Sequence, residues 1–338
     1  MSAWGFKFRR ILLELLQNII TDQEIQMRTV AGKVLAEVEK AFIGKEEITR
    51  AVLLAMIAGG HILLEDVPGV GKTTLAMAFS KALSMDYRRM QFTPDVMPSD
   101  VIGFTTFNRA TNEFEYRPGP VMSHLFLADE INRTSSKTQS ALLEAMEEGA
   151  VTVDGTTYVL PSPFTVIATQ NPAGSAGTQL LPESQLDRFM IRLSIGYPKP
   201  MDEIGILKSR QTRNPIEDIA PAASAAQILA MREEAWNVFV ADEILAYMVR
   251  IAHATRVSEA LSLGISPRGT LALSKMARAN AWLKGRKYVI PQDVTEVCRM
   301  TLAHRLVLTS RARVHGVTGE SALADILAGV PEPKITMK

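Results

Sequence analysis

Cysteine is nearly missing from this chain: Cys298 is the only one, which excludes an intrachain disulfide and leaves the redox compartment unconstrained. A reducing cytosol suits it. Cys298 stands among apolar neighbours in a helical stretch and reads as a buried thiol. Excess charge of either sign is missing too: the formal net charge is +1, so the chain as a whole sets up no strong field toward nucleic acid or acidic lipid. No apolar run free of charge is long enough to cross a bilayer. The opening stretch MSAWGFKFRRILLELLQNII is interrupted by Glu14 and Gln17, and no small-residue cleavage site follows it. Repeats and low-complexity segments are absent. These absences leave a soluble globular protein, expected to be cytoplasmic. Its 338 residues, 47% hydrophobic and 22% charged, suit two packed domains with full cores.

Periodicity then divides the chain. Phe8, Ile11, Leu12, Leu15, Leu16, Ile19 and Ile20 recur at helical spacing and predict an amphipathic helix over 1–22. From 23 to 199 short apolar runs alternate with helical segments. Strands are expected at His61–Glu65, Arg88–Phe92, Leu125–Ala128, Phe164–Ala168 and Phe189–Leu193, each buried on both faces. Helices are expected at Lys72–Leu83 and Ser135–Glu148. This is an α/β pattern with a parallel five-stranded sheet. Two stretches alternate with period two around a turn: Val101–Tyr116, turning at Ala110–Asn112, and Val151–Val159, turning at Asp154-Gly155. Both are expected to be inserted β-hairpins. Past Tyr197-Pro198-Lys199-Pro200 only helices are expected: Asp202–Arg213, Ala223–Val238, Asp242–Leu261, Pro267–Leu283 and Pro291–Leu308. Pro267 and Pro291 sit at helix starts, where a missing N–H costs nothing. The segment 200–338 thus reads as a helical domain.

The chemistry is concentrated where strands end. The run HILLE passes into DVPGVGKTT, a phosphate-binding loop. Gly69 and Gly71 let backbone N–H groups wrap phosphates, with Pro68, Val70 and Thr74 completing the loop, and a helix N-terminus faces the same charge. Lys72 would reach the outer phosphates of ATP, and the Thr73 hydroxyl would ligate Mg²⁺. The generic pattern asks for glycine at position 66, where this chain has Asp66. About fifty residues on, the apolar run LFLA ends in Asp129-Glu130. Asp129 would hold the metal and its water shell, and Glu130 would polarise the attacking water. The run VIATQNP brings Asn171 to another strand end, where open α/β sheets bind ligands. Arg188, in LPESQLDRF, and Arg268, in GISPRG, offer guanidinium groups that could stabilise transition-state charge at the terminal phosphate or could form ordinary surface or interdomain ion pairs.

Taken together, the strings GGHILLEDVPGVGKT, LFLADEINRT, QSALLEAMEE, VIATQNP, LPESQLDRF and GISPR resemble the AAA+ ATPases, and within them the MoxR family. Asp66 is similar to that family's variant of the loop. The resemblance implies an AAA+ P-loop domain followed by an α-helical lid, and a ring, usually a hexamer, with Mg-ATP at subunit interfaces. By motif, Lys72 and Thr73 match Walker A, Asp129 and Glu130 match Walker B, and Asn171 matches sensor one. Arg188 matches the finger supplied by a neighbouring subunit. Arg268 matches sensor two, with its action inside or across the interface left open. Ile43 and Gly44 match the segment beside the adenine. The hairpins match the helix-two insert and the pre-sensor hairpin. The family also implies a chaperone that matures or activates a client protein, often with a partner bearing a von Willebrand factor A domain. It is similar to the ATPase subunit of magnesium chelatase and to activators of a carbon-fixing enzyme.

The alternative is a nucleic-acid-stimulated AAA+ motor. It draws some support from Arg268–Arg313, with ten Lys/Arg against Asp293 and Glu296. Against it, neither hairpin tip is basic, and a strand-tracking hairpin needs several cations. A scaffold that binds without turnover conflicts with the presence of Glu130, Asn171 and Arg188. The lack of Asn-Lys-x-Asp after the loop argues against a kinase or GTPase, and the lack of GAFTGA against a sigma-factor activator.

Overall fold

A computed structural model describes residues 26–171, 181–211 and 213–333; the helix expected over 1–22 lies outside them. Helix α1 (26–39) and α2 (Glu46–Ile57) lead into β1 (Ile62–Glu65), α3 (Lys72–Ala82) and β2 (Tyr87–Gln91). There follow α4 (Pro98–Ile102), β3 (Gly103–Asn108), β4 (Glu113–Pro118), β5 (Leu125–Asp129), α5 (Ser136–Glu148), β6 (Ala150–Val153), β7 (Thr156–Val159), β8 (Thr165–Gln170), α6 (Glu183–Leu186) and β9 (Ile191–Leu193). The rest comprises α7 (Pro200–Ser209), α8 (Ala225–Trp236), α9 (Asp242–Arg256), β10 (Leu261–Leu263), α10 (Pro267–Leu283), α11 (Pro291–Leu302), β11 (Val307–Leu308), α12 (Ser310–Val314) and α13 (Gly319–Gly329).

The five expected strands form one parallel sheet in the order β2-β5-β8-β1-β9. Strand alternation divides its side chains between two cores. Ile62, Leu64, Leu125, Leu127 and Ile167 face α1, α2, α3 and the C-terminal helices, while Leu63, Phe126, Ala128, Val166 and Ala168 face α5. The strand expected to be buried on both faces at Arg88–Phe92 is instead the sheet's edge, and Arg88 and Arg89 are exposed there. An edge strand has one neighbour and tolerates charge, which also protects it from pairing with another chain.

Both hairpins are present as antiparallel pairs, β3 with β4 and β6 with β7. Asp154 and Gly155 both take positive φ, as a tight two-residue turn demands. In the first hairpin Val101 and Ile102 close α4 rather than open a strand. Tyr116 of β4 stacks on Tyr158 of β7 with centroids 3.9 Å apart, which couples the two hairpins.

The C-terminal region is helical, with α12 and α13 added to the five helices expected, and it departs from an all-helical expectation where β10 and β11 pair antiparallel. These strands hold three and two residues, too few for a period-two pattern to register. Their pairing ends α9 at Arg256 and α11 at Leu302, short of the ends expected at Leu261 and Leu308. Cys298 is buried, and burial pushes its thiol up to about 12.

Two histidines sit in the joints of this fold, His304 buried and His61 half-buried. His61, just before β1, accepts from Val166 N at Nδ1 and so donates from Nε2 to the Met146 carbonyl, 3.0 Å away. Burial, with the nearby Arg232 charge, lowers its pKa to about 4. His304 is driven well below its ordinary value by burial and by the charges of Arg305 and Arg192. Both stay neutral in the folded chain and gain a proton in the unfolded one below pH 6.5, so acid favours unfolding. Stability should therefore fall as pH drops from 6.5 to 4, with His61 alone contributing about 3 kcal/mol. Urea midpoints across that range test it, and His61→Gln should flatten the slope.

Candidate active site

The loop 66–71 leaves β1 at the carboxyl edge of the sheet. Gly69 and Gly71 take φ of +88° and +98°, which only glycine adopts freely. Gly71 is the N-cap of α3; no side chain caps the helix and no acid lies in its first turn. Its leading N–H groups and positive dipole end therefore remain for an anion. Lys72 is buried, and its Nζ donates to the Asp66 carbonyl at 2.7 Å, a place-holding bond. Burial lowers the Lys72 pKa, opposed by the charges of Asp66, Asp129 and Glu130. Phosphate charge would oppose it further. The Asp66 side chain braces the loop. Its carboxylate accepts from Ser194 Oγ at 2.9 Å, Ile195 N at 2.5 Å and Gly196 N at 3.0 Å. These bonds tie the loop's entrance to the segment leaving β9. Phe42 packs beside Gly71, and Gly44 (φ +76°) lies so close to Asp202 that any side chain there would collide with it. Ile43 and Gly44 themselves pack on α7, Ile43 beside Gly205 and Gly44 beside Asp202.

Asp129 and Glu130 stand at the same edge. Thr169 of β8 links them: its hydroxyl donates to Asp129 Oδ1 at 2.7 Å and accepts from Glu130 N at 2.8 Å. Arg89 of β2 pairs with Asp129 Oδ2 at 2.8 Å. Glu130 adopts a left-handed conformation (φ +57°, ψ +47°), a strained backbone for a residue with a side chain. Its carboxylate accepts from Arg133 at 2.8 Å and from Asn171 Nδ2 at 3.2 Å. The Arg133 bond, more than any other cause, holds the Glu130 pKa below its ordinary value. Asn171 and Asn132 exchange two amide hydrogen bonds through the Asn171 backbone, and Asn171 Oδ1 is buried with no partner among the described residues. Lys72, Asp129, Glu130 and Asn171 are thus brought to one edge around β1, β5 and β8.

Arg188 and Arg268 are not with them. Arg188 precedes β9, and the adjoining Met190 N donates to His61 O at the start of β1. Because β1 and β9 are parallel, Arg188 lies at the amino edge of the sheet, opposite the loop that follows β1. There it pairs with Glu147 of α5 at 3.3 Å, and Arg268 at the start of α10 pairs with the same carboxylate.

Residues 61–191 match the model of the AAA group, described as the ATPase family associated with various cellular activities, and residues 253–326 match the AAA lid domain. The chaperone MoxR1 of Mycobacterium tuberculosis is 39% identical over 90% of this chain and 82% of its own. This chain belongs to the MoxR family of AAA+ ATPases. Among other relatives, the uncharacterized protein YeaC of Bacillus subtilis is 47% identical over 91% of this chain and 96% of its own. A crystal structure of a protein from Cytophaga hutchinsonii, assigned as an ATPase, superposes with a TM-score of 0.87 at 35% identity, covering 95% of this chain and all of that one.

In this MoxR-family ATPase several site residues had no visible signal in the sequence. Arg89 and Thr169 reach Asp129 only through strand pairing, and Glu147 meets the arginines only in the folded chain. Arg133 could have been found, since it lies three residues from Glu130 in a tight turn. Thr169→Val removes the hydroxyl that joins Asp129 to the Glu130 backbone and strands a buried N–H. We expect turnover to drop by about tenfold or more, ATP affinity to stay within a few-fold, and stability to fall by about 1–3 kcal/mol. Steady-state hydrolysis, nucleotide titration and urea unfolding measure the three.

Proposed function

We propose that this ATPase hydrolyses Mg-ATP at the interfaces of a ring, most simply a hexamer. The cycle remodels, matures or activates a client protein, as a cytoplasmic chaperone working with a partner that bears a von Willebrand factor A domain. In this reading 23–199 is the ATPase core, 200–338 the lid, and 1–22 precedes both. The observation that carries it is the opposition of the two edges of the sheet. Lys72, Glu130 and Asn171 lie at one edge and Arg188 at the other, so the two halves of a phosphoryl-transfer site meet only between chains. Client work on proteins is favoured by the first hairpin, whose exposed Phe104, Phe107 and Phe114 suit apolar partners better than phosphates. No described helix is long and apolar enough to cross a membrane.

The residues fit the nucleotide and its metal. The uncapped start of α3 and Lys72 suit phosphate, with Pro68, Gly69, Val70, Thr73 and Thr74 around them and Ile43 and Gly44 toward the base. Among the described residues no group of three His, Cys, Asp or Glu forms a self-sufficient metal site. Mg²⁺ would be held by Thr73 and Asp129 together with phosphate oxygens. Bound there, it would neutralise phosphate charge. Glu130, kept ionised by Arg133, orients a water and takes its proton as oxygen bonds to the terminal phosphorus and the bridging bond to ADP breaks. Asn171 fixes that carboxylate. Lys72 balances charge from within the chain and Arg188 from the neighbouring one, a contribution on the order of 10³-fold or more. Arg268 joins it.

Glu130→Gln should retain ATP binding and lose turnover. Nucleotide titration and phosphate release test this, and the stalled protein should retain its client in pull-downs from the host. Lys72→Ala should lose ATP binding, and Arg188→Ala should bind ATP but turn over poorly. Mixed and allowed to exchange, these two variants should recover activity, since a Lys72→Ala subunit still lends Arg188. With mixed rings verified by native mass spectrometry, the absence of recovery counts against action across the interface.

A further inference from the structure

Glu147 stands where helix physics disfavours it. It occupies the last turn of α5, at the negative end of the helix dipole, and no basic residue shares that turn. Its carboxylate is matched instead by two guanidinium groups from separate parts of the chain, Arg188 before β9 and Arg268 at the head of α10. The surroundings keep all three in place. His61 holds the Met146 carbonyl beside Glu147. Ser266, which caps α10 one turn ahead of Gly269, donates to Asp187 at 2.9 Å. Buried Arg305 donates to Asp187 Oδ1 at 3.1 Å and to Phe189 O at 2.7 Å. The loop carrying Arg188 and the helix carrying Arg268 are therefore pinned to each other through Asp187. Glu147, Asp187, Arg188, Arg268 and Arg305 line a cleft of about 270 Å³, which Lys275 also lines. Arg305 and Asp187 offset one another, which leaves three cations against Glu147.

We propose that Glu147 is a positioning residue for hydrolysis in the neighbouring subunit: it holds Arg188 and Arg268 side by side, so that a terminal phosphate arriving from the next chain meets both guanidiniums at once. This rests on the reading of the two arginines as acting across an interface. Without the carboxylate, two like charges in one cleft repel each other and turn toward solvent, and a misplaced charge costs rate rather than binding. Glu147 is itself more than a third exposed, so the pairing contributes little to folding, and its removal leaves the chain's own nucleotide loop, at the other edge of the sheet, untouched.

The test uses the full chain carrying Glu147→Ala, Glu147→Gln or Glu147→Asp. For Ala and Gln we expect kcat to fall by about tenfold while KM, ATP affinity, thermal midpoint and assembly state stay at wild-type values; Asp should recover part of the loss. The double variant Glu147→Ala/Arg188→Ala should be no slower than Arg188→Ala alone, because Glu147 acts through the arginine. Additive losses, or a fall in thermal midpoint and ATP affinity alongside kcat, would mark a merely structural residue and overturn the proposal. Wild-type kcat in Glu147→Ala, with Arg188→Ala and Arg268→Ala both impaired, overturns the role of Glu147 and leaves the arginine reading standing. Wild-type kcat in both arginine variants overturns that reading first.

Discussion

Parallel pairing of β1 with β8 on one side and β9 on the other is the constraint on which the rest of this molecule depends. It gives every strand the same sense, so everything that follows a strand gathers at one edge and everything that precedes one gathers at the other. The phosphate loop, Asp129-Glu130 and Asn171 follow β1, β5 and β8. Arg188 precedes β9. An antiparallel β9 would have placed Arg188 at the same edge as the loop; the parallel one holds it at the opposite edge.

Within the site, charge is balanced in advance. Lys72 is held by a carbonyl, Asp129 by Arg89 and Thr169, and Glu130 by Arg133 and Asn171. Each is a charged or strained group that would be costly to leave unpartnered in a part-buried crevice. The arrangement fixes the orientation of both carboxylates within the chain itself, and preorganisation of this kind matters more than the strength of any one bond.

Most of the architecture was legible because its signals are local. Short apolar runs, a glycine-rich loop and Asp-Glu at a strand end are written in consecutive residues, and the five strands, both hairpins and the helix after the loop follow from them. The edge position of β2 was not legible, since a run as short as YRRMQ does not reveal whether a second strand lies beside it. The β10–β11 pair escaped because two or three residues carry no period. Arg89 and Thr169 reach Asp129, Asn132 reaches Asn171 and Glu147 reaches Arg188 across 39 to 41 residues of chain, a separation that only strand order and helix placement resolve. Asp66 shows the limit in another way. Its departure from glycine is plain in the sequence, whereas its reason, three donors beyond β9, lies about 130 residues away.

One face of the sheet and the C-terminal helices share a single unbroken apolar core: Ile57 of α2, Leu64 of β1, Met231 of α8, Leu273 of α10 and Val297 of α11 belong to one cluster. Prising those helices from the sheet would wet that whole surface, a cost that grows with every square ångström of apolar area uncovered. The subunit is therefore mechanically a stiff link rather than a pair of jaws. In the ring proposed above, compliance would then reside at the pins, and a shape change begun at one joint would have to be taken up by the joints on either side.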